Sequence, residues 1–280
     1  MLTLEKQQQC KASTNEAAFP SSGERLSEYD KKRYARQIQL PEIGMKGQAL
    51  LLGKKVLIVG AGGLGTLCAA YLAGAGIGIL GILDEDTVSL SNLPRQILYD
   101  MNDIGRNKAT ALAQKLAAAN NRGKIIPITQ TLTQQNASSI IEGFNAIISC
   151  VDNLETRYIL NQVCVDSGIP MIEGAVSGFT GMVTTIIPEK SPCYECIFPK
   201  KPYRAQESIP VAGPAPGVTG SVQAAEALKL LLGKGLLLTG RLLLLDLISY
   251  DFRTIAVKKD PCCPVCGKST GPGSESPYHC

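Results

Sequence analysis

From Lys54 onward, short apolar runs alternate with longer segments of helical period. KKVLIVG (54–60) reads as a buried strand, GLGTLCAAYLAGAG (63–76) as a helix, and IGILGILD (77–84) as a second strand ending on Asp84. DIGRNKATALAQKLAAANN (103–121) spaces its apolar residues as a helix does and stops near Asn120–Asn121. KIIPITQ (124–130) and AIISCVD (146–152) predict a third and fourth strand, NLETRYILNQVCVDSG (153–168) a helix, and IPMIEGAV (169–176) a fifth strand. Strands alternating with helices predict an α/β fold with a doubly wound, mostly parallel, Rossmann-like sheet. Upstream, residues 26–50 carry a helix start in LSEYDKKRYARQIQL, followed by PEIGMKGQALL.

After Gly174 the pattern changes. GFTGMVTTIIP (178–188) reads as an antiparallel strand, SPCYECIFP (191–199) as a tight cysteine turn, and residues 199–217, rich in proline and glycine, as a long loop. GSVQAAEALKLLLG (220–233) is helical, and RLLLLDLIS (241–249) and FRTIAVKK (252–259) form an antiparallel pair that extends the same sheet. One domain over 25–267 is expected, divided into a nucleotide-binding part, 54–173, and a second part, 174–267. Residues 1–24 and 268–280 are polar and read as flexible extensions.

Composition narrows the possibilities. The net charge of +4 is spread without long basic runs, aromatics are 5% and tryptophan is absent. Neither a nucleic-acid footprint nor a polybasic membrane patch is present. Residues 56–83 lack charge and are long enough to span a bilayer, but eight of them are glycines, so strand, turn, helix and strand is the better reading. The amino-terminal stretch has no secretory character, which points to the cytoplasm. Ten cysteines then suggest metal rather than disulfides, because four of them form two CxxC pairs. Cys193 and Cys196 with Cys263 and Cys266 predict a closed four-cysteine zinc site. Cys262 competes in CCPVC, but only Cys263 gives the CxxC spacing. Cys68, Cys150 and Cys164 sit in apolar contexts and read as core, while Cys10 and Cys280 lie in the polar ends.

The stretch GAGGLG supplies the main chemistry. Gly60, Gly62 and Gly65 satisfy G-x-G-x-x-G between a strand and a helix, which is the geometry for holding phosphates on a helix N-terminus. Asp84, 19 residues past Gly65, stands where a carboxylate accepts from ribose hydroxyls. Either a redox dinucleotide or ATP fits this much. Beyond it, SNLPRQ carries Asn92, Arg95 and Gln96, DIGRNKA carries Lys108, and SCVDN carries Asp152 and Asn153 at a strand's carboxyl end. Two cations and a second carboxylate in one crevice suit a triphosphate with Mg²⁺. Singly, each has a plainer reading: Arg95 or Lys108 as a solvated charge, Asp152 as a helix cap. The one histidine is His279, so a Ser-His or Cys-His pair is nearly excluded.

In order, RYARQIQLPEIGMKGQALL, VLIVGAGGLG, ILDEDTVSLSNLPRQIL, DIGRNKA, SCVDN, CYEC, GVTGSVQAAEALKLLLG and CCPVC resemble the MoeB/ThiF/HesA family over about residues 29–267. These are relatives of ubiquitin-activating enzymes. The resemblance implies use of ATP and Mg²⁺ to adenylate the Gly-Gly carboxylate of a small ubiquitin-like sulfur-carrier protein, by a homodimer. Gly60, Gly62, Gly63 and Gly65 then match the nucleotide turn, and Asp84 the ribose-binding acid. Asn92, Arg95 and Lys108 match phosphate contacts, Asp152 the magnesium and catalytic aspartate, and Arg36 the arginine that reaches the partner subunit's ATP. Residues 174–267 become the carrier-binding and zinc part. Asp86 and Gln96 fall in matching motifs without an assigned role. Members that bond covalently to the carrier have a cysteine before the GVTGS-like segment; here none lies between Cys196 and Cys262, which implies a separate sulfur donor. Three rival readings are an NAD-dependent oxidoreductase, adenylation of another acceptor such as a peptide or a tRNA modification, and a non-enzymatic scaffold that keeps the nucleotide domain, against which Asp152, Arg95 and Lys108 speak.

Overall fold

The computed structural model describes residues 26–200 and 209–267. Both predicted extensions, together with Cys10, Cys280 and His279, lie outside them. Three short helices come first: α1 (Glu28–Arg33), α2 (Ala35–Ile38) and α3 (Gly44–Leu52). Ser27 caps α1 and forms a reciprocal box with Asp30. Asp30, nearly fully buried, then holds Arg122 through two hydrogen bonds of 2.6 and 2.9 Å, which anchors this segment to the body.

Next come β1 (Lys55–Val59), α4 (Gly63–Ala75) and β2 (Ile79–Leu83), then 3₁₀ turns at Leu90–Asn92 and Met101–Asp103. The uncharged run at 56–83 is thus cut into three elements, and among the described residues no helix is long and apolar enough to cross a membrane. α5 (Lys108–Ala119), β3 (Lys124–Ile128), α6 (Ala137–Ile141), β4 (Ala146–Ser149), α7 (Leu154–Ser167) and β5 (Met171–Ser177) complete the parallel half. β6 (Thr180–Ile186), α8 (Tyr194–Ile197), α9 (Pro214–Leu232), β7 (Arg241–Asp246) and β8 (Asp251–Ala256) follow.

One eight-stranded sheet results, in the order β3-β2-β1-β4-β5-β6-β7-β8. Strands up to β5 pair in parallel and β5 through β8 antiparallel. Alternating residues feed two cores: Val56, Ile58, Ile82 and Ile148 pack under α4, α5 and α9, while Leu57, Val59, Ile147 and Met171 pack under α6 and α7.

The last long helix departs from the sequence reading. It begins at Pro214, so the carboxyl-terminal end of the predicted 199–217 loop is helical. Pro214 and Pro216 sit in the first turn, where the missing N–H has no intrahelical acceptor to lose. The cysteine turn likewise contains one helical turn, α8.

Candidate active site

Gly60 turns the chain out of β1 at φ +95°, and a Cβ there would lie 2.6 Å from the Cys150 carbonyl. Gly65 is the closest approach in the motif: its Cβ would fall 1.8 Å from the Gly60 carbonyl oxygen. Gly63 opens α4 with Pro216 and the Arg95 backbone against it. The N-terminus of α4 therefore faces a crevice of about 1070 Å³ at the carboxyl ends of the parallel strands.

Gly60, Gly62, Gly63, Asp84, Asn92, Arg95, Lys108, Asp152 and Asn153 all border that crevice. Asp84 accepts from the backbone N–H of Ala61 at 2.7 Å and of Asp86 at 2.9 Å, locking the carboxylate beside the turn. Burial pushes its carboxyl above the ordinary range, against the pull of Lys108 and these two bonds. Lys108 starts α5 behind the Asn107 cap, its side chain nearly buried, and its Nζ lies 2.8 Å from exposed Asp86. Asp86 thereby gains a role that sequence reasoning leaves open: it holds the ammonium toward the crevice. Tyr99, also buried, donates to the carbonyls of Ala61 and Lys108 at 2.8 and 3.2 Å and ties the turn to α5. It is the one aromatic residue between β2 and α5, which is the sequence signal for that tie.

Arg95 donates to the Ser91 carbonyl at 2.8 Å and is half-buried. Asn92 spends its side-chain oxygen on the Ser89 N–H, which shapes the turn carrying Arg95. Gln96 is buried between the turn and the Arg95 segment, its Oε1 without a partner. The cap of α7 is Asn153, whose side chain accepts from Thr156 N at 2.8 Å. Asp152 is therefore not spent as a cap; its carboxylate is exposed to the crevice with no hydrogen bond among the described residues. Gly65 lies beneath the turn rather than on the crevice wall, and Arg36 stands exposed on α2, away from it.

The four predicted thiols converge. Cys193 and Cys263 sulfurs are 3.6 Å apart, Cys196 and Cys266 3.4 Å, and all four lie within 4.8 Å of one another. A tetrahedral Zn–S₄ centre with bonds of about 2.3 Å requires sulfurs about 3.8 Å apart, so the set could hold such an ion. Asn161 Nδ2 and the Asp260 N–H approach Cys193 and Cys196 sulfur at 3.6 and 3.4 Å, as second-layer donors to thiolates do. Burial pushes the Cys193 thiol up to about 11, which an ion would reverse. Cys68, Cys150 and Cys164 are buried core thiols, as their apolar contexts predict.

A family model described as the ThiF family matches residues 34–265. Over 242 residues the chain is 40% identical to the SAMP-activating enzyme E1 of Haloferax volcanii, spanning 84% of this chain and 88% of that protein. It is 40% identical over 247 residues to the sulfur carrier protein ThiS adenylyltransferase of Escherichia coli, spanning 87% and 98%. Among solved structures, Escherichia coli MccB superposes with a TM-score of 0.77 at 22% identity over 89% of this chain and 75% of that one, a likeness of fold.

Proposed function

The chain belongs to the ThiF family, and from that premise we propose that it adenylates the C-terminal Gly-Gly carboxylate of a small ubiquitin-like sulfur-carrier protein. The observation that carries this reading is the single crevice where a phosphate turn, Asp84, Arg95, Lys108 and a free Asp152 meet. A hydride-transferring enzyme would leave the last three unexplained.

The carboxylate is already ionised at pH 7, so no histidine base is needed. Its oxygen attacks the α-phosphorus of ATP, the bond to the bridging oxygen breaks, and pyrophosphate departs with the electron pair. The obstacle is an anion approaching a polyanion. Asp84 takes the ribose and the α4 N-terminus the phosphates, with Asn92 shaping the segment that brings Arg95 to them. Arg95 and Lys108 stabilise the charge that shifts onto the leaving group. Asp152 would hold Mg²⁺, which supplies Lewis-acid neutralisation of the phosphate oxygens. Arg36, exposed on α2, serves the ATP of a second subunit in a homodimer. The four cysteines hold structural zinc, the protein works in the cytoplasm, and sulfur comes from another protein.

The test is carrier-dependent pyrophosphate exchange and AMP formation with purified Gly-Gly-ended carriers. Asp152→Ala and Arg95→Ala should each lower exchange about a hundredfold or more. Wild-type rates in either variant overturn the assignment, and exchange supported only by an unrelated peptide would move the acceptor to another class.

A further inference from the structure

Arg157, on the crevice wall, pairs with a buried acid behind it, and none of the foregoing chemistry uses either residue. Arg157, in the first turn of α7, is 6% exposed, and its partner Glu173, on β5, is 0% exposed. Buried pairs of this kind are poor stabilisers, since desolvation offsets most of the attraction. Their position is more informative.

β4 and β5 pair in parallel as Ile147↔Met171, Ile148↔Ile172 and Ser149↔Glu173, and the ladder stops there. β5 continues to Ser177 beside β6, while the other chain leaves through Cys150 and Val151 to Asp152. The two strands thus part just where the crevice opens. Arg157 bridges the gap. Its Nη1 donates to the Gly174 carbonyl at 3.2 Å, and its Nη2 donates to the Val151 carbonyl. Both are the carbonyls a further rung of ladder would have involved, and Val151 immediately precedes Asp152. Burial depresses the guanidinium pKa, and Asp152 is among the charges that oppose this. From the other face, Gln223 of α9 stitches the last paired rungs, donating to the Ser149 and Ile172 carbonyls at 2.8 and 3.3 Å. Beyond that stitch, two bonds hold the backbone entering Asp152: the Cys150 N–H donates to the Val59 carbonyl of β1 at 2.8 Å, and Arg157, one residue nearer Asp152, donates to the Val151 carbonyl from the β5 side.

We propose that Arg157 is a positioning residue: anchored by Glu173, its guanidinium clasps the parted ends of β4 and β5 and sets the place from which Asp152 meets the metal–triphosphate. The proposal rests on the adenylation reading, because it takes Asp152 as the group to be placed. A planar fork presents its donors to two carbonyls in fixed directions, whereas a lysine ammonium is a compact head on a flexible stem.

The variants are made in the full chain. Arg157→Met with Glu173→Met removes both charges together and leaves no unpaired ion inside. The probes are ATP alone and ATP with Mg²⁺ titrated in, read by calorimetry, beside thermal melting. Expected are wild-type affinity for metal-free ATP, since the glycine turn and Asp84 are untouched, and about tenfold weaker binding of Mg²⁺ to the ATP complex. Where a Gly-Gly-ended carrier supports exchange, kcat falls about tenfold to a hundredfold with KM for ATP unchanged. Arg157→Lys, which keeps the ion pair but loses one carbonyl, shifts Mg²⁺ affinity in the same direction and carries the test if the double variant does not fold. Unchanged Mg²⁺ affinity, or equal losses of metal-free and metal-bound ATP, overturns the proposal. Failure of the adenylation reading looks different: the wild type itself then gives no exchange with any carrier.

Discussion

Replacing Gly65 by alanine adds one methyl group where the structure has no room for it. The new Cβ falls 1.8 Å from the Gly60 carbonyl oxygen, whereas real Cβ contacts do not go below 3.0 Å. The start of α4 and the phosphate turn must therefore separate by about 1.2 Å, and the obstructing atom is backbone, so no side chain can swing aside. Overpacking of this kind costs about 1–3 kcal/mol of stability. A misplacement of about 1 Å in groups that orient a reacting substrate costs about a hundredfold in rate, or about 2.7 kcal/mol of barrier. Gly74 supplies the control, because it lies in the same helix with nothing within 4 Å of its added Cβ. Gly74→Ala should raise stability by about 0.5–1 kcal/mol by restricting the unfolded chain. Calorimetric ATP titration and thermal melting of both variants decide the matter. Gly65→Ala should melt several degrees lower, bind ATP more weakly and lose about a hundredfold in carrier-dependent exchange, while Gly74→Ala melts slightly higher and binds normally. Wild-type ATP affinity in Gly65→Ala would refute the steric argument.

Two further outcomes follow from the site. Metal analysis should find one zinc per chain, and a strong chelator should lower the melting temperature, with Cys263→Ser doing the same without chelator; melting that ignores both would dismiss the zinc site. ATP affinity should fall as pH drops through a value above the ordinary carboxylate range, because burial raises the Asp84 pKa and protonation removes the acceptor for ribose hydroxyls. Asp84→Asn should bind weakly with a flat pH profile over that range, and a sloping profile in that variant would assign the titration to another group.

The parallel half is legible because each element is both short and strongly patterned. β1, α4 and β2 emerge from the uncharged run at 56–83 once its glycines are read as breaks. The four cysteines are legible from spacing alone, and the structure brings them together across residues 197–262. The early start of α9 is not, since Pro214 and Pro216 signal a loop unless they happen to occupy a first turn. Short elements such as α6 and the 3₁₀ turns at 90–103 carry too few residues to show a period. Arg157 resembles a solvated charge on an amphipathic helix, because its partners lie on another strand. Glu173 does leave a trace: an acid inside the apolar run IPMIEGAV, a strand buried in the middle of the sheet, demands an interior cation.

β5 meets β4 in parallel and β6 in antiparallel register. That single strand is where the crossover half of the sheet hands over to its hairpin half. The two halves do not separate at Ser177, because α9 from the second half packs over α4 and its Pro216 backs Gly63 of the phosphate turn. Gln223 fastens them as well, its amide crossing the seam to the Ser149 carbonyl. Any graft of the hairpin strands would therefore have to carry α9 unaltered.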